Sequence, residues 1–173
     1  MPVLLVAAFI TLVDQWTKQV VRDRFGLGES LTVIEGFFDL THIQNTGAAW
    51  GMMKDRVLFF IVVSLVMIVL MGVYYRSLAA GSRATQLAFG LLLGGIIGNL
   101  MDRIRLSAVT DFLYFHIGSH YWPAFNTADS AICVGVGIYL IVTFRAERQA
   151  AKQAEDSLAD PADSPAEADA GSG

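Results

Sequence analysis

The chain has 173 residues, 54% of them apolar and only 16% charged, with a mean hydropathy of +0.52. Soluble domains carry about a quarter charged residues, and the apolar residues here are bunched into long runs, so an ordinary soluble domain is excluded and lipid is the expected solvent. The net charge of −4 describes a tail: from Glu147 onward there are seven acids and two bases, against nine acids and ten bases before it. No basic block has the character of a nucleic-acid footprint. The single cysteine, Cys133, excludes an internal disulfide, and no Cys/His grouping has zinc spacing.

A hydrocarbon layer about 30 Å thick needs roughly 20 apolar residues as a helix. Four segments qualify, at about residues 3–22, 57–75, 84–102 and 127–145. The first could pass for a secretory signal, but it lacks a basic n-region, and Asp14-Gln15 stands where small cleavage-site residues belong. It reads as a retained span. Between spans one and two, Leu31–Ile34 and Phe37–Ile43 are rich in β-branched and aromatic residues and predict a small surface sheet. Residues 48–53, with Trp50, fit a short interfacial helix. Span three carries Gly90, Gly94 and Gly98 at four-residue spacing, a ridge that lets another helix approach closely. The segment 149–173, rich in Ala, Asp, Glu, Ser and Pro, has no apolar periodicity and is expected to be disordered, leaving 1–148 as the membrane domain. Four spans place both termini on one side. The Lys/Arg distribution between loops identifies that side only weakly.

Ionisable groups in membrane segments are costly and usually functional. Five strings concentrate the polar residues: Asp14–Lys18, Asn45–Trp50, Gly98–Arg103, Val109–Phe112 and Phe125–Ser130. Each has an ordinary reading alone. Asp102-Arg103 could be an interfacial ion pair, Asn126 or Thr127 could cap span four with Asp129 in its first turn, and Asp14 could be buried against Lys18 or Gln15. Taken together, four of the five fall at the same ends of their spans, and Asp111 and Asp129 lie on the two arms of one excursion. Two facing carboxylates share a proton, which supplies a base for water and an acid for a carbonyl. His116 and His120 are four apart but have no glutamate between them and no evident third zinc ligand, and no serine sits in a nucleophile turn.

In this order among four spans, the five strings closely resemble the lipoprotein signal peptidases (signal peptidase II) of bacteria, over roughly residues 3 to 145. The resemblance implies an all-α membrane protein of four transmembrane helices with a small extracytoplasmic β-sheet cradle and a short interfacial helix. It further implies an aspartic endopeptidase of the bacterial cytoplasmic membrane, both termini cytoplasmic and the active site near the outer face. Such enzymes cut prolipoproteins just before a cysteine bearing a diacylglyceryl group. By motif position, Asp111 and Asp129 match the catalytic aspartates. Asn45, Asn99, Arg103 and Asn126 match substrate-site residues, whereas Asp14 and Asp102 match structural positions. No metal, cofactor or nucleic acid is called for; membrane lipid is an expected partner, and a monomer the expected state.

Two readings of other classes stay open at this stage. A carrier could relay protons or cations through Asp14, Asp111 and Asp129, although its polar groups should then line a path through the membrane. A non-enzymatic scaffold could pack partners through the glycine ridge, and would not require the two aspartates.

Overall fold

The computed structural model describes residues 2–47, 53, 55–79 and 82–159; the expected interfacial helix at 48–53 lies almost wholly outside them. The chain divides after Tyr139 into two compact units. The elements of the first are, in order, α1 (Pro2–Arg24), β1 (Ser30–Ile34), β2 (Phe38–Asn45), α2 (Val57–Ala79), α3 (Arg83–Leu106), β3 (Val109–Ile117), β4 (His120–Tyr121) and the first part of α4 (Thr127–Ala159). All four helices are long and apolar enough to cross a membrane.

Of the four, α3 is the most enclosed. Its buried positions run from Thr85 to Asp102, whereas α2 is apolar all round and buries none of its described residues, as expected of a helix facing lipid. The glycine ridge is the reason α1 lies so close to α3. A Cβ built on Gly90 would sit 2.6 Å from Val6 Cβ, and one on Gly94 would sit 2.7 Å from the Ala7 carbonyl oxygen. A Cβ on Gly98 would run into the Asp14 carboxylate. A second glycine pair serves α4: Gly95 meets the Ala128 carbonyl, and Gly135 meets the Ala88 carbonyl. Backbones approach this closely only where side chains are absent, which is how helices associate when lipid removes the hydrophobic drive.

The sheet is larger than the sequence reading allowed. Its two expected strands are β1 and β2, but β3 pairs antiparallel with β2, and the strand order is β1-β2-β3-β4. Asp111 therefore sits within a strand rather than on a loop arm. The signal was available: Val109–Ile117 is nine residues rich in β-branched and aromatic side chains, with no Gly or Pro. Between Leu40 and Ile43, β2 carries one residue more than β3 opposite. At this bulge Thr41 and His42 turn inward. There the His42 ring is bonded to the Phe25 carbonyl at 2.9 Å, and the His42 backbone pairs with Gly28 and Glu29. The bulge thus ties the sheet to the segment leaving α1.

Helix α3 stops at Ser107, whose N–H still bonds the Arg103 carbonyl and whose left-handed backbone (φ 57°) then turns the chain out of the helix. Helix α4 does not stop near 145 as expected but continues to Ala159, which corrects the expectation of disorder for 149–159. Residues 144–156 are exposed, yet Ala, Gln, Lys, Glu and Arg dominate there, all strong helix formers that need no buried face. Low apolar content argued against a core and was misread as an argument against a helix.

Candidate active site

Three elements converge where α3, β3 and α4 meet. Backbone bonds join Phe125 to β3, Leu113 N–H to Phe125 O at 2.8 Å and Phe125 N–H back to Leu113 O at 3.1 Å. Leu113 and Asp111 are two apart on one strand, so this bridge brings the start of α4 alongside Asp111. The next residue, Asn126, is the N-cap of α4. Its Oδ1 accepts the Asp129 N–H at 3.0 Å, and the Asp129 Oδ2 accepts the Asn126 N–H at 3.2 Å. That reciprocal pair is a capping box with Asp at the third position. Local helix-start chemistry thus places Asp129, at the positive end of α4.

Asp111 is almost fully buried and held by two amides. Asn45 Nδ2 donates to its Oδ2 at 3.0 Å and Asn126 Nδ2 to its Oδ1 at 2.7 Å. Asn45 reaches it because it pairs with Val109, making Asp111 its diagonal neighbour across the β2–β3 ladder. Asn99 on α3 donates from Nδ2 to Asp129 Oδ1 at 2.8 Å, and its own Oδ1 accepts from Asn126 at 3.2 Å. Burial first, and the Asp129 charge second, push the Asp111 carboxyl from an ordinary 3.8 up to about 7; the two amide bonds and Lys18 only partly offset this. The raised carboxyl of Asp111 and the carboxyl of Asp129 thus line the same cavity, linked through the Asn126 and Asn99 amides.

All six residues matched to catalytic or substrate positions come together. Asn45, Asn99, Arg103, Asp111 and Asp129 line one cavity of 460 Å³, and Asn126 is buried directly behind it. The Arg103 guanidinium lies 5.0 Å from the centre of the Phe60 ring on α2. Ser130 and Cys133, on the first turns of α4, and the segment Trp122–Phe125 that leads into it add to the wall.

Asp14 and Asp102 lie outside the cavity, in a buried cluster that the sequence reading saw only in outline. Lys18 Nζ is 2.9 Å from Asp14 Oδ2 and 3.4 Å from Asp102 Oδ2, all three side chains being at most 1% exposed. Asp102 pairs with Lys18 and, at 3.8 Å, with Arg22, rather than with its neighbour Arg103. Gln15 closes the ring by donating to Asp102 at 3.1 Å. Each acid also holds a backbone N–H. Asp14 accepts from Ala128 at 2.9 Å, and Asp102 accepts from Thr110 at 3.0 Å. Ala128 precedes Asp129 and Thr110 precedes Asp111, so one cluster grips both arms one residue before each candidate carboxylate. The pairing of Asp14 with Lys18, one of the two partners the sequence offers, is found here; the reach of Lys18 to Asp102 and the Thr110 N–H bond are not visible in an i,i+4 spacing on one helix.

Residues 6–145 match the family model for Signal peptidase (SPase) II. A protein of Syntrophotalea carbinolica named lipoprotein signal peptidase is 44% identical over 145 residues, covering 82% of this chain and 90% of its own length. One of Anoxybacillus flavithermus with the same name is 39% identical over 145 residues, with coverages of 84% and 86%. A bacterial membrane enzyme solved by the in meso method at 2.3 Å resolution superposes with a TM-score of 0.77 at 31% identity, covering 83% of this chain and 87% of that one. With its four spanning helices and the cavity at their sheet-bearing end, the chain belongs to the signal peptidase II family, a multi-pass bacterial membrane peptidase.

Proposed function

We propose that the chain removes the signal peptide from diacylglyceryl-modified prolipoproteins, cutting just before the lipidated cysteine, with Asp111 and Asp129 activating water as an aspartic endopeptidase. The observation that carries the reading is that Asp111 and Asp129 line one cavity of 460 Å³, with the Asp111 carboxyl raised to about 7. In the resting enzyme the shared proton resides on Asp111, and Asp129 serves as base at the positive end of α4. Asp129 takes a proton from water, which attacks the carbonyl before the cysteine. Asp111 donates to the carbonyl oxygen as charge develops there, and proton transfer to the departing nitrogen then frees the amine. Asn45 and Asn126 orient Asp111, Asn99 orients Asp129, and Arg103, poised over Phe60, offers a cation to the substrate backbone.

A cysteine carrying two acyl chains keeps them in the leaflet, so its scissile bond sits at the interface. The cavity lies where spanning helices meet a sheet, which suits that constraint. On this reading the sheet and active site face the outer side of the cytoplasmic membrane, both termini are cytoplasmic, and one chain suffices because every group of the pair comes from it.

The test is a purified chain with a lipidated prolipoprotein, read as a mobility shift. Asp111→Asn and Asp129→Asn are each expected to lower kcat by on the order of 10³-fold or more while leaving the protein folded. Near-normal cleavage by either variant removes the pair from the mechanism. A carrier would instead show aspartate-dependent ion flux in vesicles and no cleavage.

A further inference from the structure

The cluster's fully buried cation is Lys18, whose third contact is neither acid. Its Nζ donates at 2.8 Å to Asn99 Oδ1, across 81 residues of sequence. An ammonium group can only donate, so it accepts one of the two orientations of the Asn99 amide. In that orientation Nδ2 points to Asp129 Oδ1, 2.8 Å away; with the amide flipped, an oxygen would face a carboxylate and an NH₂ would face an ammonium. Asn126 reinforces the choice with a longer bond at 3.2 Å, and its own orientation is set by the Asp129 N–H, which also can only donate.

We infer that Lys18, which touches neither proposed catalytic aspartate, is a positioning residue that acts through the Asn99 amide to hold the Asp129 carboxylate in place. The inference rests on the proposed role of the Asp111–Asp129 pair. It adds a function to a lysine that would otherwise serve only as counter-ion to Asp14 and Asp102. Its place in the fold favours this role: Lys18 is 0% exposed on α1, a helix that contributes nothing to the cavity wall.

Three predictions separate positioning from simple charge balance. Lys18→Met removes the donor, and kcat is expected to fall about 10- to 100-fold with KM within about twofold, the signature of a misplaced reacting group. Lys18→Gln, neutral but still able to donate to Asn99, is expected to recover most of that loss. In the Asn99→Leu background, Lys18→Met is expected to change kcat by less than about threefold, because the path is already cut. A charge-balance role predicts the opposite, equal losses for Met and Gln and a full Lys18→Met penalty in the Asn99→Leu background, and either result overturns the inference.

Folding is monitored by thermal unfolding in detergent. The set is also made on Asp14→Asn, which lowers the negative charge left behind when Lys18 is replaced. Should Lys18 variants fail to fold even then, Asn99→Leu alone decides: unchanged kcat means that the amide bond to Asp129 has no role, and the inference falls. Wild-type protein and Asp111→Asn run alongside. If wild-type protein does not cleave the lipidated substrate, the proposed function fails and takes this inference with it; aspartate-dependent cleavage with indifferent Lys18 variants overturns the inference alone.

Discussion

The seam between α1 and α3 is built in two different ways along its length. Toward its beginning, Val3 and Phe89 form a small apolar core with Met71, Tyr75, Leu93 and Tyr139 packed around it. Toward its other end, eleven residues further along α1, the same seam buries Asp14, Lys18 and Asp102. In lipid, the apolar end gains little beyond close packing, because the surrounding tails are as apolar as the neighbouring helix. The polar end has no comparable substitute for its partners. A group that loses one there is left as a charge away from water. The apolar end contributes close packing; the polar end both ties the helices and fixes where two carboxylates stand.

The sharpest way to break that comparison is to remove a partner at each end. Asp14→Ala strips Lys18 of its nearer carboxylate and leaves the Ala128 N–H without its acceptor. A loss of roughly 3–5 kcal/mol is expected from such a break, read as a lower melting temperature and a reduced monodisperse yield in detergent. Phe89→Leu at the apolar end is expected to cost less than about 1.5 kcal/mol. Normal yield of Asp14→Ala with lost turnover would move Asp14 from the scaffold into the chemistry.

A smaller perturbation tests whether the polar end matters to catalysis more than to packing. Gly90→Ala presses on Val6 Cβ and the Val3 carbonyl and forces α1 away from α3, whereas Gly98→Ala displaces the Asp14 carboxylate. Gly90→Ala is expected to lower the melting temperature while kcat stays within about threefold. Gly98→Ala is expected to lower kcat by about tenfold or more, because Asp14 also holds the peptide before Asp129. Equal effects on kcat would mean that strain spreads along the whole seam.

What sequence made visible follows the same division. The spans were legible because lipid imposes a length: 57–75 was expected where α2 is Val57–Ala79, and 84–102 where α3 is Arg83–Leu106. The glycine ridge was legible as a packing face, but not its partner. Asp111 and Asp129 could be paired on one excursion, and resemblance to a family singled them out. The bridge from Leu113 to Phe125 that brings the arms together could not be seen. Nor could the bond from Lys18 to Asn99, since nothing in an i,i+4 pattern on α1 reports a partner on α3. Residues 149–159 differ from expectation for another reason: a solvated helix and a disordered segment share a composition, and propensity rather than burial separates them.

The finest test concerns the proton itself. Asp111 is raised to about 7, so its neutral form persists in the folded protein well above its ordinary 3.8. A folded value above the unfolded one stabilises most at low pH, below about 4, and that contribution is lost as pH rises through about 7. If the neutral form is also the one that donates to the carbonyl, kcat/KM must fall on the alkaline side with a limb near pH 7. Asn45 donates to the Asp111 carboxylate and favours its charged form. Asn45→Leu therefore raises Asp111 further and is expected to move the alkaline limb upward by roughly one pH unit, whatever the change in KM. A limb that stays fixed, or moves down, would show that Asp111 is not the group whose proton the reaction needs; the seam's polar end would still position the pair, but the roles of Asp111 and Asp129 would have to be exchanged.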